Sequence, residues 1–157
     1  MKKNITLLMS ILFVGLFTFS SCSKDDDPST GGTTAKTEAI SFKLNGSDFS
    51  VGTFNQDLDE ISNFIELTAN GSDQVTVLSL FLDVNGDGNL DVTDPLEASV
   101  TLQIGGNLYV GKSGSVIITS NDKAARTMEG TFSFVTTDNA QTPTDFTISE
   151  GKFYAKY

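Results

Sequence analysis

The strongest constraint on this chain is an alternation of period two, broken at short intervals by turn-forming dipeptides. The clearest stretch runs from Met128 through Gly130, Phe132 and Phe134, with Thr131, Ser133 and Val135 between them. Successive side chains of a β-strand point to opposite faces, so this pattern puts one apolar and one polar face on a strand. Ile40 to Leu44 alternates in the same way. It is followed by Asn45-Gly46 and an expected return strand, Phe49 to Phe54. Asn-Gly suits the favoured hairpin turn because both central positions need positive φ. The dipeptide recurs at Asn70-Gly71, between Phe64 to Ala69 and Val75 to Leu82. The last of these is apolar on both parities and reads as a central strand covered on both faces.

Further along, Ala98 to Ile104, Asn107 to Val110 and Ser115 to Ser120 carry strand signals. Phe146 and Ile148 continue the theme, but Phe153, Ala155 and Tyr157 resume on the opposite parity. Glu150-Gly151 is therefore expected to be a bulge or turn. No stretch predicts a helix longer than about one turn outside the first twenty residues. With 12 phenylalanines, no tryptophan and glycine-rich turns, the expectation is an all-β fold. An antiparallel β-sandwich or barrel of about 8–9 strands fits that spacing of turns.

The N-terminus is different in kind. Lys2 and Lys3 precede Ile5 to Phe19, an uncharged apolar run. A membrane span needs about 20 such residues, so this run fits a cleaved signal helix instead. It ends at Phe19-Ser20-Ser21-Cys22, which holds the only cysteine. This resembles a lipobox, in which the cysteine thiol takes a diacylglyceryl group and cleavage falls just before it. Phe19 stands where an aliphatic residue is usual. A lone thiol in a secreted chain is a reactive liability, and lipidation of Cys22 accounts for it. Residues 1–21 are thus read as signal peptide, residues 22–37 as a lipidated, disordered tether, and residues 38–157 as the folded domain.

Each buried CH₂ contributes about 0.8 kcal/mol, so several acyl chains on Cys22 would hold the protein to a membrane without a transmembrane helix. The acidic run Asp25-Asp26-Asp27 behind the cysteine resembles the signal that places some Gram-negative lipoproteins on the outer face of the outer membrane. Surface display is the expected location, with the periplasmic face as the alternative.

Charge excludes some partners. The chain carries a formal charge of −10, which becomes −12 when Lys2 and Lys3 leave with the leader. Nucleic-acid binding needs a basic footprint and is not expected. With Cys22 used for lipid, the domain has no disulfide and depends on its core, with or without a metal. A monomer is expected.

One segment carries a chemical signal. Residues 83–94 read Asp83-Val84-Asn85-Gly86-Asp87-Gly88-Asn89-Leu90-Asp91-Val92-Thr93-Asp94. Oxygen-bearing side chains fall at positions 1, 3, 5, 9 and 12, with glycine at 6. Calcium takes 6–8 oxygens in a flexible shell, and glycine at 6 permits the sharp turn. Asp83, Asn85 and Asp87 are the expected side-chain ligands. Asn89 would supply its carbonyl, Asp91 would ligate directly or through water, and Asp94 would close the shell. Leu90 would pack inward. The segment resembles the EF-hand loop, and more closely the calcium loop of dockerin modules. Asp94 replaces the common bidentate glutamate, and a strand rather than a helix enters the loop. Asp94-Pro95-Leu96-Glu97 predicts a single capped turn on the exit side. The competing reading is a solvated Asn/Asp/Gly loop. Four carboxylates with no Lys or Arg among them favour a bound structural Ca²⁺.

Two stretches resemble a family of small Gram-negative lipoproteins classed as a domain of unknown function. One is Phe42-Lys43-Leu44-Asn45-Gly46 with Phe49. The other runs from Gly114-Ser115-Val116-Ile117-Ile118-Thr119 through Met128-Glu129-Gly130-Thr131-Phe132-Ser133-Phe134 to Ile148-Ser149-Glu150-Gly151-Lys152-Phe153. The resemblance implies an all-β, surface-type lipoprotein and carries over no catalytic residue.

An enzyme is not expected. Without histidine there is no His-based triad, and no glycine-rich phosphate loop opens a helix. The expected role is binding or envelope structure for a calcium-stabilised β-domain. The alternative is a barrel carrier for a small apolar ligand or a glycan, without calcium. Tyr109, Tyr154 and Tyr157 are its candidate stacking residues.

Overall fold

The structure, a computed structural model, describes residues 36–138 and 140–157. The expected signal segment, the expected lipidation site Cys22 and the expected tether up to residue 35 lie outside the described residues. Ala35–Tyr157 forms one compact unit.

Ten strands make up that unit: β1 (Ala39–Leu44), β2 (Ser47–Asp48), β3 (Val51–Asp59), β4 (Phe64–Gly71), β5 (Thr76–Asp83), β6 (Gly88–Asp91), β7 (Ala98–Ile104), β8 (Asn107–Asp122), β9 (Thr127–Thr137) and β10 (Asp145–Lys156). No helix occurs among the described residues. The strands form one antiparallel sheet in the order β2-β1-β10-β9-β8-β7-β5-β4-β3, with β6 paired to β8 beside β7's place. The sheet curls into a half-barrel, so the choice between sandwich and barrel resolves as one curled sheet.

Bulges do the curling. The β8–β9 register slips between Gly111 and Ser113 and again between Ile118 and Ser120. The β9–β10 register slips between Ile148 and Gly151. Each extra residue bends its strand and increases the local twist. The parity switch in the sequence is this last bulge. Glu150 takes φ of 53° there.

The inner face is the core. Leu78, Leu80 and Leu82 of β5 are fully buried beside Ile65 and Leu67 of β4 and Val100 and Leu102 of β7. On the other half, Phe132 lies among Phe42, Phe134 and Phe153 at ring distances of 6.0, 5.7 and 6.4 Å. Burying each such side chain stabilises by roughly 1.5–3 kcal/mol. Phe132 needs Gly151 opposite it. A Cβ on Gly151 would sit 2.3 Å from the Phe132 ring.

The two Asn-Gly dipeptides have different uses. Asn45 and Gly46 take φ of 50° and 79° and make the hairpin turn. Asn70-Gly71 instead ends β4, and the turn falls on Ser72 to Val75, with Gln74 at φ 61°. Asp73 caps it, accepting from Val75 N, Thr76 N and Thr76 Oγ1 at 3.1, 3.0 and 2.7 Å. Those donors, the Thr76 hydroxyl first, hold the Asp73 carboxyl below the usual aspartate range. Gly71 is needed for room: its Cβ would lie 2.8 Å from the Phe49 ring.

The expected return strand Phe49 to Phe54 is also corrected. Only Ser47–Asp48 pairs with β1, and the chain then crosses to pair with β4 from Val51. Phe49 stacks on Phe42 at 4.6 Å, which draws the chain away from the hairpin. Asn107 to Val110 and Ser115 to Ser120 are one continuous β8. The second face of β5 is covered only in part, with Val77 and Phe81 half-buried and Val75 52% exposed.

Thr136 is fully buried, and its Oγ1 has no hydrogen-bond partner. A buried, unpartnered hydroxyl costs about 1–3 kcal/mol. Thr136→Val keeps the shape and removes that cost. It is expected to raise stability by about 1 kcal/mol in denaturant melts; a loss of stability would show the hydroxyl to be satisfied.

Candidate metal loop

Residues 83–94 leave β5, turn sharply and come back as β6. The turn is built from local geometry. Asn85 N donates to Asp83 Oδ1 at 2.8 Å, and Gly86 N donates to the Asp83 carbonyl at 2.9 Å. Gly88 takes φ of 69° and donates to Asp87 Oδ1 at 2.9 Å. The sixth position therefore has the conformation that glycine was expected to supply. Leu90 packs inward as expected, at 4% exposure, and Val92 joins it at 4%.

The strand β6 was not anticipated. Asn89 and Asp91 flank Leu90, so their side chains share the outer face of the sheet, level with Ile117 and Ser115 of β8. Burial of Leu90 fixes that parity. Asp91 Oδ1 accepts from Thr93 N and Thr93 Oγ1, both at 2.8 Å. The Thr93 backbone N–H, then its hydroxyl, hold the Asp91 carboxyl below the usual range. Asp94 caps the expected single turn, accepting from Leu96 N at 2.9 Å on Oδ1 and from Glu97 N and Ala98 N at 3.0 Å on its carbonyl.

The six expected ligands are thus split. Asp83 and Asn85 are in contact, with Asn85 Nδ2 3.3 Å from Asp83 Oδ1. Asp87 stands at the tip, Asn89 and Asp91 lie on β6, and Asp94 belongs to the following turn. Among the described residues no group of three or more acids is gathered to hold a metal ion. Asp83, Asp87, Asp91 and Asp94 each use Oδ1 on a backbone N–H. A carboxylate has two oxygens with about four lone-pair sites, so such a bond does not exhaust it. The backbone suits a cation loop better than the present side-chain positions do.

Neither a family model, a characterised protein nor a solved structure matches this chain.

Residues distant in sequence complete the loop. Asn121 Nδ2 donates to the carbonyls of Val84 and Gly86 at 2.8 and 3.3 Å. Tyr157 Oη donates to Asn121 Oδ1 at 2.9 Å and holds it in place. Lys123 Nζ reaches Asn85 Oδ1 at 3.2 Å, bringing the positive charge that the segment itself lacks. Glu97 Oε2 accepts from Asp91 N at 2.9 Å. Asn121, Tyr157 and Lys123 carry no local signature for the loop and are brought to it by the packing of β8 and β10, whereas Glu97 belongs to the capped turn that follows Asp94.

Proposed function

We propose that this chain is an outer-membrane lipoprotein, anchored through Cys22 and displaying its β-domain at the cell surface. Its role is binding or envelope structure, and a structural Ca²⁺ at residues 83–94 stiffens the domain. The observation that carries the anchoring is the run Ile5 to Phe19 ending at the single Cys22. The described residues begin at 36, so thirteen residues, 23–35, lie between Cys22 and them.

The calcium reading is supported by the loop's residue pattern, by φ of 69° at Gly88 and by the inward Leu90. Asp83, Asn85 and Asp87 would hold the ion with side-chain oxygens, Asn89 with its carbonyl, and Asp91 and Asp94 would close the shell. Calcium present at about 100 times its Kd stabilises a protein by about 2.7 kcal/mol. The expected result is a melting temperature several degrees higher in calcium than in chelator. Asp83→Ala with Asp87→Ala removes that rise. Equal melting in calcium and chelator would contradict the metal while leaving the anchor untouched.

The carrier alternative has less support. The inner face is filled by packed apolar side chains.

A further inference from the structure

We infer that the end of the domain built by turns 60–63, 94–97 and 122–126 docks onto the lipid surface that carries the anchor, with Ile61 and Leu96 entering it. This rests on the reading of Cys22 as the lipid site, and it names what the displayed domain rests against.

Hydrogen bonds gather these turns at one end. Val84 N donates to the Asn63 carbonyl at 2.9 Å, and Asp83 N donates to the Glu97 carbonyl at 3.2 Å. The first two turns therefore flank the exit of β5, one on the side of β4 and one on the side of β7. Two strand spacings, roughly 10 Å, separate those neighbours. The third turn joins through Arg126, 3.5 Å from Glu60 Oε1, and through Lys123 at Asn85.

The chain enters the domain at the same end. Ala39 at the start of β1 pairs with Tyr154, and Tyr154 pairs with Glu129. Lys36 forms an ion pair with Glu129. β10 runs on from Tyr154 to Tyr157, whose N–H donates to the Arg126 carbonyl at 2.8 Å. Thirteen residues, 23–35, lie between Cys22 and residue 36, and such a length spans at most about 45 Å. With Cys22 held in a bilayer, this end is the one kept nearest to it. A contact too weak to hold a free protein forms at the resulting local concentration.

Two apolar side chains project there. Ile61 is 96% exposed and Leu96 79%, the highest values among the large hydrophobics of the described residues. Turns are served by Gly, Pro, Asn, Asp and Ser, so neither side chain is explained by its turn. Each is held out by an aspartate. Asp59 Oδ1 accepts from Ile61 N at 2.9 Å, and its Oδ2 accepts from Ser62 Oγ at 2.7 Å. Asp94 Oδ1 accepts from Leu96 N at 2.9 Å. Apolar side chains presented in this way suit the boundary between headgroups and acyl chains, while long basic side chains stay with the headgroups. Lys36, Lys123, Arg126 and Lys156 are exposed at this end. Glu60, Asp122 and Glu129 lie among them, so the match is to zwitterionic headgroups, which also carry both signs.

The test uses the full lipidated chain in phosphatidylcholine vesicles, in chelator. Cys22 is the only native cysteine and carries the lipid, so Ile61→Cys, Leu96→Cys and Leu108→Cys each supply one free thiol for a polarity-sensitive fluorophore. Leu108 is 58% exposed beside the β7–β8 turn at the opposite end. The expected result is blue-shifted emission at the Ile61 and Leu96 positions, quenched several-fold more strongly by an acyl-chain quencher than at the Leu108 position. Adding Leu96→Asp to Ile61→Cys should lower that quenching several-fold, with a melting temperature close to the parent's. Water-like emission at all three positions, or equal quenching at all three, would overturn the proposal. A blue shift without acyl-chain quenching would overturn it too, by assigning the tips to a second copy. Intact mass reads the lipid on Cys22 separately. A lipidated chain with water-like labels sinks this inference alone, whereas a chain without lipid sinks the anchor and this inference with it.

Discussion

Phe132→Ala is expected to destabilise the domain by about 3–5 kcal/mol. Phe132 is 3% exposed and sits where three other phenylalanines meet, from β1, β9 and β10. Truncation removes the ring's burial and leaves a space that Gly151 cannot fill. Single domains have only about 5–15 kcal/mol of stability in all, so this variant should melt far below the parent. Denaturant midpoints measure it. Ile117→Ala is the contrast, because Ile117 lies on the opposite face at 44% exposure, and a cost below about 1 kcal/mol is expected for it. Equal costs would mean that the inner and outer faces have been assigned wrongly.

The second large effect is a backbone one. Gly114→Ala is expected to cost about 3 kcal/mol or more. Gly114 lies in β8 with φ of 113°, a conformation L side chains rarely adopt. A Cβ there would stand 2.4 Å from the Ser133 carbonyl oxygen and 2.5 Å from Phe134 Cα. Both are backbone atoms of the paired strand and cannot swing aside. Gly105→Ala separates the two causes. Gly105 also has positive φ, 57°, but nothing lies within 4 Å of its Cβ position. Only the conformational cost of about 1 kcal/mol should remain. Similar losses at both positions would mean that the β8–β9 register around Gly114 differs from the one described.

These two sites show how far the sequence could be read. The alternation around Phe132 carried its own strand and face. The parity switch after Ile148 carried the bulge. Ala98 to Ile104 matches β7 residue for residue. Gly114 carried no such signal, because its need for glycine comes from Ser133 and Phe134 across the sheet. The same holds for Gly71. Its local pattern announced a turn, while its actual constraint is the Phe49 ring. β3 was expected to end at Phe54. It continues through Asn55, Gln56 and Asp57 to Asp59, since an edge strand needs little apolar surface.

At the metal loop, local chemistry was legible and partners were not. Glycine at 88, the inward Leu90 and the capped turn at Asp94 all follow from short-range rules. The segment 88–91 gave only three alternating residues, too few to announce β6. Asn121 and Lys123 lie more than thirty residues beyond the loop's start. They reach it through strand pairing that no local pattern encodes.

We propose that residues 1–21 are removed and that Cys22 carries lipid. Intact mass spectrometry of the protein extracted from its native membrane tests it most directly. The expected result is a polypeptide beginning at Cys22, heavier than residues 22–157 by a thioether-linked diacylglyceryl group. Cys22→Ala should abolish that mass and its membrane retention. A full-length chain of 157 residues, or a cleaved chain with a free Cys22 thiol, would contradict it.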